Sequence, residues 1–376
     1  MRKKIIRAVT IDKSLGFIES IIPILINKYD IQVISSPGKR LDEMRTKYGL
    51  KIHEVYMYRR FSPVQDLKSL YQLIKIFHKE KPYMVHSMTP KAGLLCMLAS
   101  WFTRVPRRVH TFTGLVWPTS SGISRRILMM TDWLTCTCAT HVIPEGQGVL
   151  DDLQKHITRK PMRVLGYGNI QGIDMKKFSR SNEVIANAEK LRIKDIFSFL
   201  FVGRIVKDKG INELIRAFVE LNKKYPNCRL ILVGGYEENL DPLNIDTINL
   251  INTTPSIEAV GPKYGNDLIA YYAASDSFVF PSYREGFPNV VLEAGAMGLP
   301  CIVTDINGSR EIIVDGKNGV IIPPKDVMAL YDSMEHMMLD KKQREYFASN
   351  ARKMIAKRYE QSFVTKCLLD FYNEII

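Results

Sequence analysis

Phe197-Ser198-Phe199-Leu200-Phe201-Val202 runs straight into Gly203-Arg204-Ile205-Val206-Lys207-Asp208-Lys209-Gly210, and the stretch beyond carries Leu214, Ile215 and Phe218. A mostly apolar run bounded by glycine suits a strand covered on both faces, and the spacing that follows it suits a helix. The pair is one βα unit. Toward the C-terminus, residues 230–233, 277–280 and 300–304 read as further strands, each followed by Gly- or Pro-containing loops and helix-period segments. Toward the N-terminus, residues 5–10, 31–35, 52–56, 84–87, 109–112 and 141–143 read the same way, with helices expected over 14–28 and 66–78. Repeated βα units build parallel, doubly wound sheets, so the fold class is α/β. Two series imply two halves, as does a length of 376 residues against a prior of about 150 per domain. Three glycines in Gly166-Tyr167-Gly168-Asn169-Ile170-Gln171-Gly172 make a bendable link between the series. The expected division is 1–170, joined by the amphipathic tail 358–376, against 171–357.

Composition narrows the class further. Apolar residues make up 46% and charged residues 24%, which excludes disorder. The net charge of +14 is one-sided: residues 1–175 hold 27 Lys and Arg against 13 Asp and Glu, while 176–376 hold 26 of each. Such asymmetry points to an anionic partner for the first half, whether nucleic acid, acidic membrane or phosphorylated substrate. The clusters Arg59-Arg60, Arg104/Arg107/Arg108 and Arg125/Arg126 are the candidates, with Trp101, Phe102, Ile123 and Trp133 as apolar anchors. Cys96, Cys136, Cys138, Cys228, Cys301 and Cys367 form no C-x-x-C pair and read as reduced core thiols. Arg7 interrupts the first apolar run too early for a signal peptide, and no segment reaches 18 apolar residues. A cytoplasmic protein, peripheral at the inner face of a bacterial membrane, is expected.

Chemistry concentrates in two stretches of the second half. In Pro281-Ser282-Tyr283-Arg284-Glu285-Gly286-Phe287-Pro288-Asn289-Val290-Val291-Leu292-Glu293 a buried strand passes through a loop into a helix, with Pro288 suited to the first helical position. The opening helix presents free N–H groups and a positive dipole end to an anion. Glu293, over a turn in, can chelate a vicinal diol, and Glu285 sits where a second diol could be held. In the Gly203–Gly210 loop, Arg204 and Lys209 place two cations at the carboxyl end of a strand, suited to a diphosphate leaving group whose charge grows as its bond breaks.

Together these stretches resemble the retaining glycosyltransferases of family 4, whose signature is Glu, seven residues, Glu, and whose fold is GT-B, two Rossmann-like domains facing across a cleft. The run Ala294-Gly295-Ala296-Met297-Gly298-Leu299-Pro300 and the later 308–319 segment fit the same donor-domain pattern, while Ser35-Ser36-Pro37-Gly38, Thr89-Pro90-Lys91-Ala92-Gly93 and Thr111-Phe112-Thr113-Gly114-Leu115 are similar to a branch that builds capsular and O-antigen polysaccharides on polyprenyl-diphosphate carriers. The resemblance implies that Glu293 holds the ribose, Glu285 the donor-sugar hydroxyls, and Arg204 with Lys209 the diphosphate. It further implies backbone contacts from Gly286, Phe287, Asn289 and Val290, a base site near Gly235 and Gly261, and approach of the diphosphate at Gly16. Lys91 is a candidate for the acceptor phosphate. The implied partners are a nucleotide-sugar donor of the UDP type, a lipid-linked saccharide acceptor and an anionic membrane surface; no cofactor, metal or nucleic acid is expected.

One departure stands out. Many members of that family carry a His where Thr113 stands, and His110, three residues earlier in the strand, points to the opposite face. Competing readings are a sugar-nucleotide 2-epimerase on the same fold, which needs an acid/base set, and a nucleic-acid binder, for which no recognition motif exists. No Asp-x-Asp pair sits in a strand-end loop where it could hold a divalent ion on a diphosphate.

Overall fold

Strand order, more than strand count, positions the functional loops. A computed structural model describes residues 2–59, 62–237 and 241–376, and twelve strands fall into two parallel sheets of six. The first contains β1 (Lys4–Ala8), β2 (Asp30–Ser35), β3 (Lys51–Glu54), β4 (Met84–Met88), β5 (Arg107–Phe112) and β6 (His141–Pro144), in the spatial order β3-β2-β1-β4-β5-β6. The second contains β7 (Phe197–Val202), β8 (Cys228–Val233), β9 (Ile257–Gly261), β10 (Ser277–Phe280), β11 (Cys301–Thr304) and β12 (Gly319–Ile322), ordered β12-β11-β10-β7-β8-β9. Each order reverses once, between β1 and β4 in one sheet and between β7 and β10 in the other. In doubly wound sheets the loops at that reversal diverge to opposite faces and leave the ligand crevice beyond the strand ends.

The edge strand β9 escapes sequence reading because Glu258 interrupts its apolar run, and β12 because its run, Val320-Ile321-Ile322, is only three residues long. Central strands are more fully buried. Every residue of β10 is buried, as is all of β7 after Phe197, and Phe201 stacks on Phe280 with ring centroids 5.9 Å apart. Truncating either ring to Ala should cost about 3–5 kcal/mol.

Helices cover both faces. In the first sheet's unit these are α1 (Gly16–Glu19), α2 (Ile22–Lys28), α3 (Lys39–Tyr48), α4 (Pro63–Glu80), α5 (Pro90–Phe102), α6 (Gly122–Cys138) and α7 (Gln147–His156). The single helix expected over 14–28 is instead a 3-10 turn, Asp12–Leu15, followed by α1 and α2. Pro23 at the start of α2 has no N–H to continue an earlier helix, and Ser14 lies inside the 3-10 turn without capping anything. The second unit carries α8 (Asn182–Leu191), α9 (Ile211–Lys224), α10 (Ile245–Thr253), α11 (Gly265–Ala274), α12 (Asn289–Ala296), α13 (Ser309–Ile312), α14 (Val327–Leu339) and α15 (Lys341–Tyr359). A last helix, α16 (Gln361–Ile375), returns to the first sheet, where Leu368, Phe371, Tyr372 and Ile375 join Ile5, Val33 and Val109 in one core. Residues 2–172 with Ser362–Ile376 form one compact unit and Ile173–Gln361 the other. No helix among the described residues is long and apolar enough to cross a membrane.

Candidate active site

The topological reversal of the second sheet gathers the charged loops. Residues 203–210 leave the end of β7 and residues 281–288 leave the end of β10, its neighbour. Gly210 ends the first loop at φ 71°, and a Cβ there would lie 2.0 Å from the Pro281 carbonyl oxygen, so only glycine lets the loops touch. The Tyr283 N–H donates to the Asp208 carbonyl at 2.8 Å, and the Ser282 hydroxyl oxygen lies 3.3 Å from the same oxygen. A third segment closes over the second loop: a Cβ on Gly308, φ 75°, would come within 2.4 Å of the Gly286 carbonyl oxygen.

Within this frame the predicted residues separate into two groups. Lys209 Nζ forms an ion pair with Glu285 Oε1, both side chains largely covered, and the Ser282 hydroxyl also reaches that oxygen at 3.0 Å. Arg204 donates from Nη1 to Glu237 Oε2 at 2.7 Å, while Nη2 lies 3.9 Å from Asp208 Oδ2. Burial alone would lower the Arg204 guanidinium, but the Glu237 hydrogen bond and the charges of Asp208, Glu237 and Glu285 outweigh it and hold it above the usual range. Glu293 stands apart. Its Oε2 accepts from the Tyr272 hydroxyl at 2.9 Å, and burial pushes its carboxyl up to about 7. The same contact and burial hold the Tyr272 phenol well above its usual range.

Four participants were not singled out in the sequence: Arg284, Asp208, Glu237 and Asp241. Arg284 pairs through Nη2 with Asp208 Oδ2 at 3.1 Å, so Asp208 bridges both guanidinium groups, and the Asp241 carboxylate accepts from the Asp208 N–H at 2.6 Å. Arg284 adjoins Glu285 and could have been suspected from that alone; Asp208 and Glu237 needed the fold. Pro288 is the residue before α12 rather than its first, with φ −75° and ψ 104°, so Asn289 opens the helix and Glu293 lies in its second turn. Gly286 and Phe287 remain in the loop. Gly235 follows β8, where its carbonyl accepts from the Ile205 N–H at 2.9 Å, and Gly261 ends the adjacent β9.

Residues expected in the first unit are more dispersed. Gly16 is helical, φ −52°, not a left-handed loop glycine, and the Arg40 guanidinium lies over it, 3.1 Å from where a Cβ would be. Lys91, in the first turn of α5, pairs with Asp66 at 2.5 Å with both side chains mostly covered. Thr113 follows β5, half-buried. His110 is buried inside that strand, its Nδ1 2.9 Å from the Ser87 hydroxyl and its ring against Gly93. Of the basic clusters, Arg107 and Arg108 turn inward: Arg107 donates to the Ile375 carbonyl, and Arg108 to the carbonyls of Cys138 and Val105. Arg104, Arg125 and Arg126 stay exposed, and Arg60 lies outside the described residues.

Comparison with known proteins agrees with this geometry. Residues 185–354 match the family described as glycosyl transferases group 1, and residues 12–131 the family described as glycosyl transferase 4-like. The chain is 33% identical over 378 residues to the capsular polysaccharide biosynthesis glycosyltransferase CapM of Staphylococcus aureus, covering 100% of this chain and 98% of that one. It is 28% identical to a UDP-Gal:α-D-GlcNAc-diphosphoundecaprenol α-1,3-galactosyltransferase of Escherichia coli, over 85% of this chain and 82% of the relative. Among solved structures, Anabaena HepE in complex with UDP and glucose superposes with a TM-score of 0.82 at 18% identity, covering 99% of this chain and 100% of HepE, which shows the shared GT-B fold. Two doubly wound units, charged loops gathered at the reversal of the second sheet, and a relative alike along its whole length make this chain a member of the glycosyltransferase family.

Proposed function

We propose that this glycosyltransferase moves a hexose or N-acetylhexosamine, with retention, from a UDP-sugar to a lipid-linked saccharide in surface polysaccharide synthesis. The observation that carries the reading is the gathering of Arg204, Lys209 and Arg284 with Glu285 at the β7/β10 reversal. In this reading Ile173–Gln361 binds the nucleotide-sugar and the first unit binds the acceptor. Arg204 and Lys209 take the diphosphate, and Arg284 adds a third cation. Glu285 accepts from the sugar hydroxyls and Glu293 from the ribose diol, while N–H groups of Gly286, Phe287, Asn289 and Val290 face the sugar and phosphate, with the base beyond Gly235 and Gly261. The bond from the anomeric carbon to the β-phosphate oxygen breaks as the acceptor oxygen bonds on the same face, and the acceptor proton passes to the departing phosphate. The cations act where charge develops, in a partly covered site where each counts for more than in water.

The relatives of this chain include enzymes named for undecaprenyl-diphosphate-linked acceptors. Such acceptors sit in a membrane, and the outer side of α4, α5 and α6 is suited to lie against one. Residues 62–140 hold 10 Lys and Arg against 3 Asp and Glu. Of the three acids, Asp66 pairs with Lys91, Glu80 is buried beneath Lys4 and Lys51, and burial pushes the Asp132 carboxyl up to about 7. Beside the exposed cations, Ile123 is 76% and Trp133 49% exposed, one face of α6 that also carries Met130, and Trp101 with Phe102 ends α5. Each cation near an anionic surface contributes about 1 kcal/mol. Calorimetry with UDP, GDP and ADP in EDTA tests the donor assignment: UDP alone should bind tightly, and preference for GDP or ADP, or dependence on Mg²⁺ for any heat, would contradict it.

A further inference from the structure

The first unit encloses a guanidinium that meets no carboxylate. Arg7 lies on β1 and is 1% exposed. Its Nη1 donates to the Tyr372 hydroxyl of α16 at 2.8 Å, its Nη2 lies 3.2 Å from Met88 Sδ, and its Nε has no partner. Among the described residues it forms no salt bridge, and a buried charge without a counter-charge is strongly unfavourable.

The neighbouring hydrogen bonds show what is missing. The Tyr372 hydroxyl lies 2.6 Å from His86 Nδ1, and His86 Nε2 lies 2.8 Å from Thr111 Oγ1. Burial first, then the charge of Arg7, pushes the His86 imidazole well below its usual range, so the ring is neutral and carries one hydrogen. Arg7 donates to the phenol oxygen, and the single ring hydrogen of His86 sits either on Nε2, donating to Thr111, or on Nδ1, donating to the phenol. Either order leaves the Arg7 Nε–H and one hydroxyl hydrogen of the network, that of Thr111 or that of Tyr372, without an acceptor. Arg7 and Thr111 line one cavity, whose other walls are mostly apolar, Ile143, Ile170 and Leu368 among them. Asn169 also faces it, but its Oδ1 already accepts from the N–H groups of Gln171 at 2.9 Å and Gly172 at 2.6 Å.

We propose that this cavity binds one small monovalent anion of the halide type, held by Arg7 Nε and Thr111 Oγ1 beneath α16. A water would supply an acceptor for the Arg7 Nε–H but would leave the charge unmatched. Room for about one water-sized group, about 10 Å³, excludes sulfate and phosphate. The segment around Asn169 and Ile170 and the helix α16 both border the site, so an anion there ties both to β1, β4 and β5.

The test uses the full chain. Thermal unfolding is followed in sodium chloride or bromide and in sodium gluconate at equal ionic strength, for the wild type, Arg7→Met and Thr111→Val. Halide should raise the wild-type midpoint by about 2–4 °C, with a smaller shift in Thr111→Val and none in Arg7→Met. Crystals grown in bromide should give an anomalous peak between Arg7 Nε and Thr111 Oγ1, which decides the matter even if Arg7→Met does not fold. Absence of that peak, or a halide shift equally large in Arg7→Met, would overturn the site.

Discussion

The same strand order occurs twice in this chain, and the two reversals are furnished differently. At β7/β10 the loops carry Arg204, Lys209 and Arg284 against Asp208, Glu237 and Glu285. At β1/β4 the loops meet through hydroxyls instead: the Thr10 and Thr89 hydroxyls lie 2.7 Å apart, and Thr10 Oγ1 also accepts from the Ala92 N–H at 3.1 Å, while Lys91 beside them is paired with Asp66. Thr89 sits there at φ 71°, a costly conformation for a β-branched residue, which the hydroxyl pair helps to hold. Identical topology therefore supplies the crevice, and loop residues decide what enters it. The reversal at β7/β10 suits a group whose negative charge grows during reaction; the one at β1/β4 is closed by hydroxyls that are buried and already bonded.

The sharpest way to break that contrast is at Lys209. Lys209→Ala should lower kcat by about 10²–10³-fold while changing UDP affinity much less, because leaving-group charge is greatest in the transition state. A loss confined to donor KM would remove the distinction. Glu293→Ala should weaken UDP about ten- to a hundredfold, the loss of a charge-assisted contact worth roughly 1.5–3 kcal/mol.

Glu293 also sets a pH dependence. Its carboxyl, raised in the folded chain to about 7, holds a proton between about pH 4.5 and 7 that the unfolded chain releases. Its contribution thus favours the folded state below that window and is lost as pH rises through about 7. A ribose diol donates to the ionised form, so uridine affinity should rise about tenfold from pH 6 to 8 in the wild type and stay flat in Glu293→Gln. A rise in both variants would assign the titration elsewhere.

Charge on the first unit is expected to act through the membrane rather than the chemistry. Arg125→Ala with Arg126→Ala should reduce co-sedimentation with anionic liposomes roughly tenfold at low salt, with little change for neutral vesicles. Equal partitioning of wild type and variant would show those arginines serve solubility alone. The smallest effect is expected at the β1/β4 reversal: Thr10→Val should cost about 1–2 kcal/mol of stability and leave UDP binding intact.

How much of this was legible depended on how each feature is written in the chain. Phe197–Val202 and Ser277–Phe280 were readable to the residue because a central parallel strand is buried on both faces and mostly apolar along its length. The edge strand β9 was not, since Glu258 breaks its run, and β12 was not, since its apolar run is only three residues long. Glu285 and Lys209 were legible as types at a spacing; their pairing was not, because 76 residues separate them and only the β7–β10 neighbourhood joins them. Asp208 reads as one charge in a Lys-Asp-Lys run until the fold brings Arg284 onto it. Arg107 and Arg108 misled for the converse reason: a charged residue on a strand can spend its donors on carbonyls that sequence does not reveal.

The most direct measurement is the stereochemistry of transfer in EDTA. An α-linked UDP-sugar is supplied with a polyprenyl-diphosphate-linked saccharide, UDP release is followed with and without acceptor, and the product linkage is read by NMR. Acceptor-dependent release of UDP and an α-linked product are expected without added metal. A β-linked product, a strict requirement for Mg²⁺, or conversion of the sugar nucleotide in the absence of acceptor would contradict the proposed function.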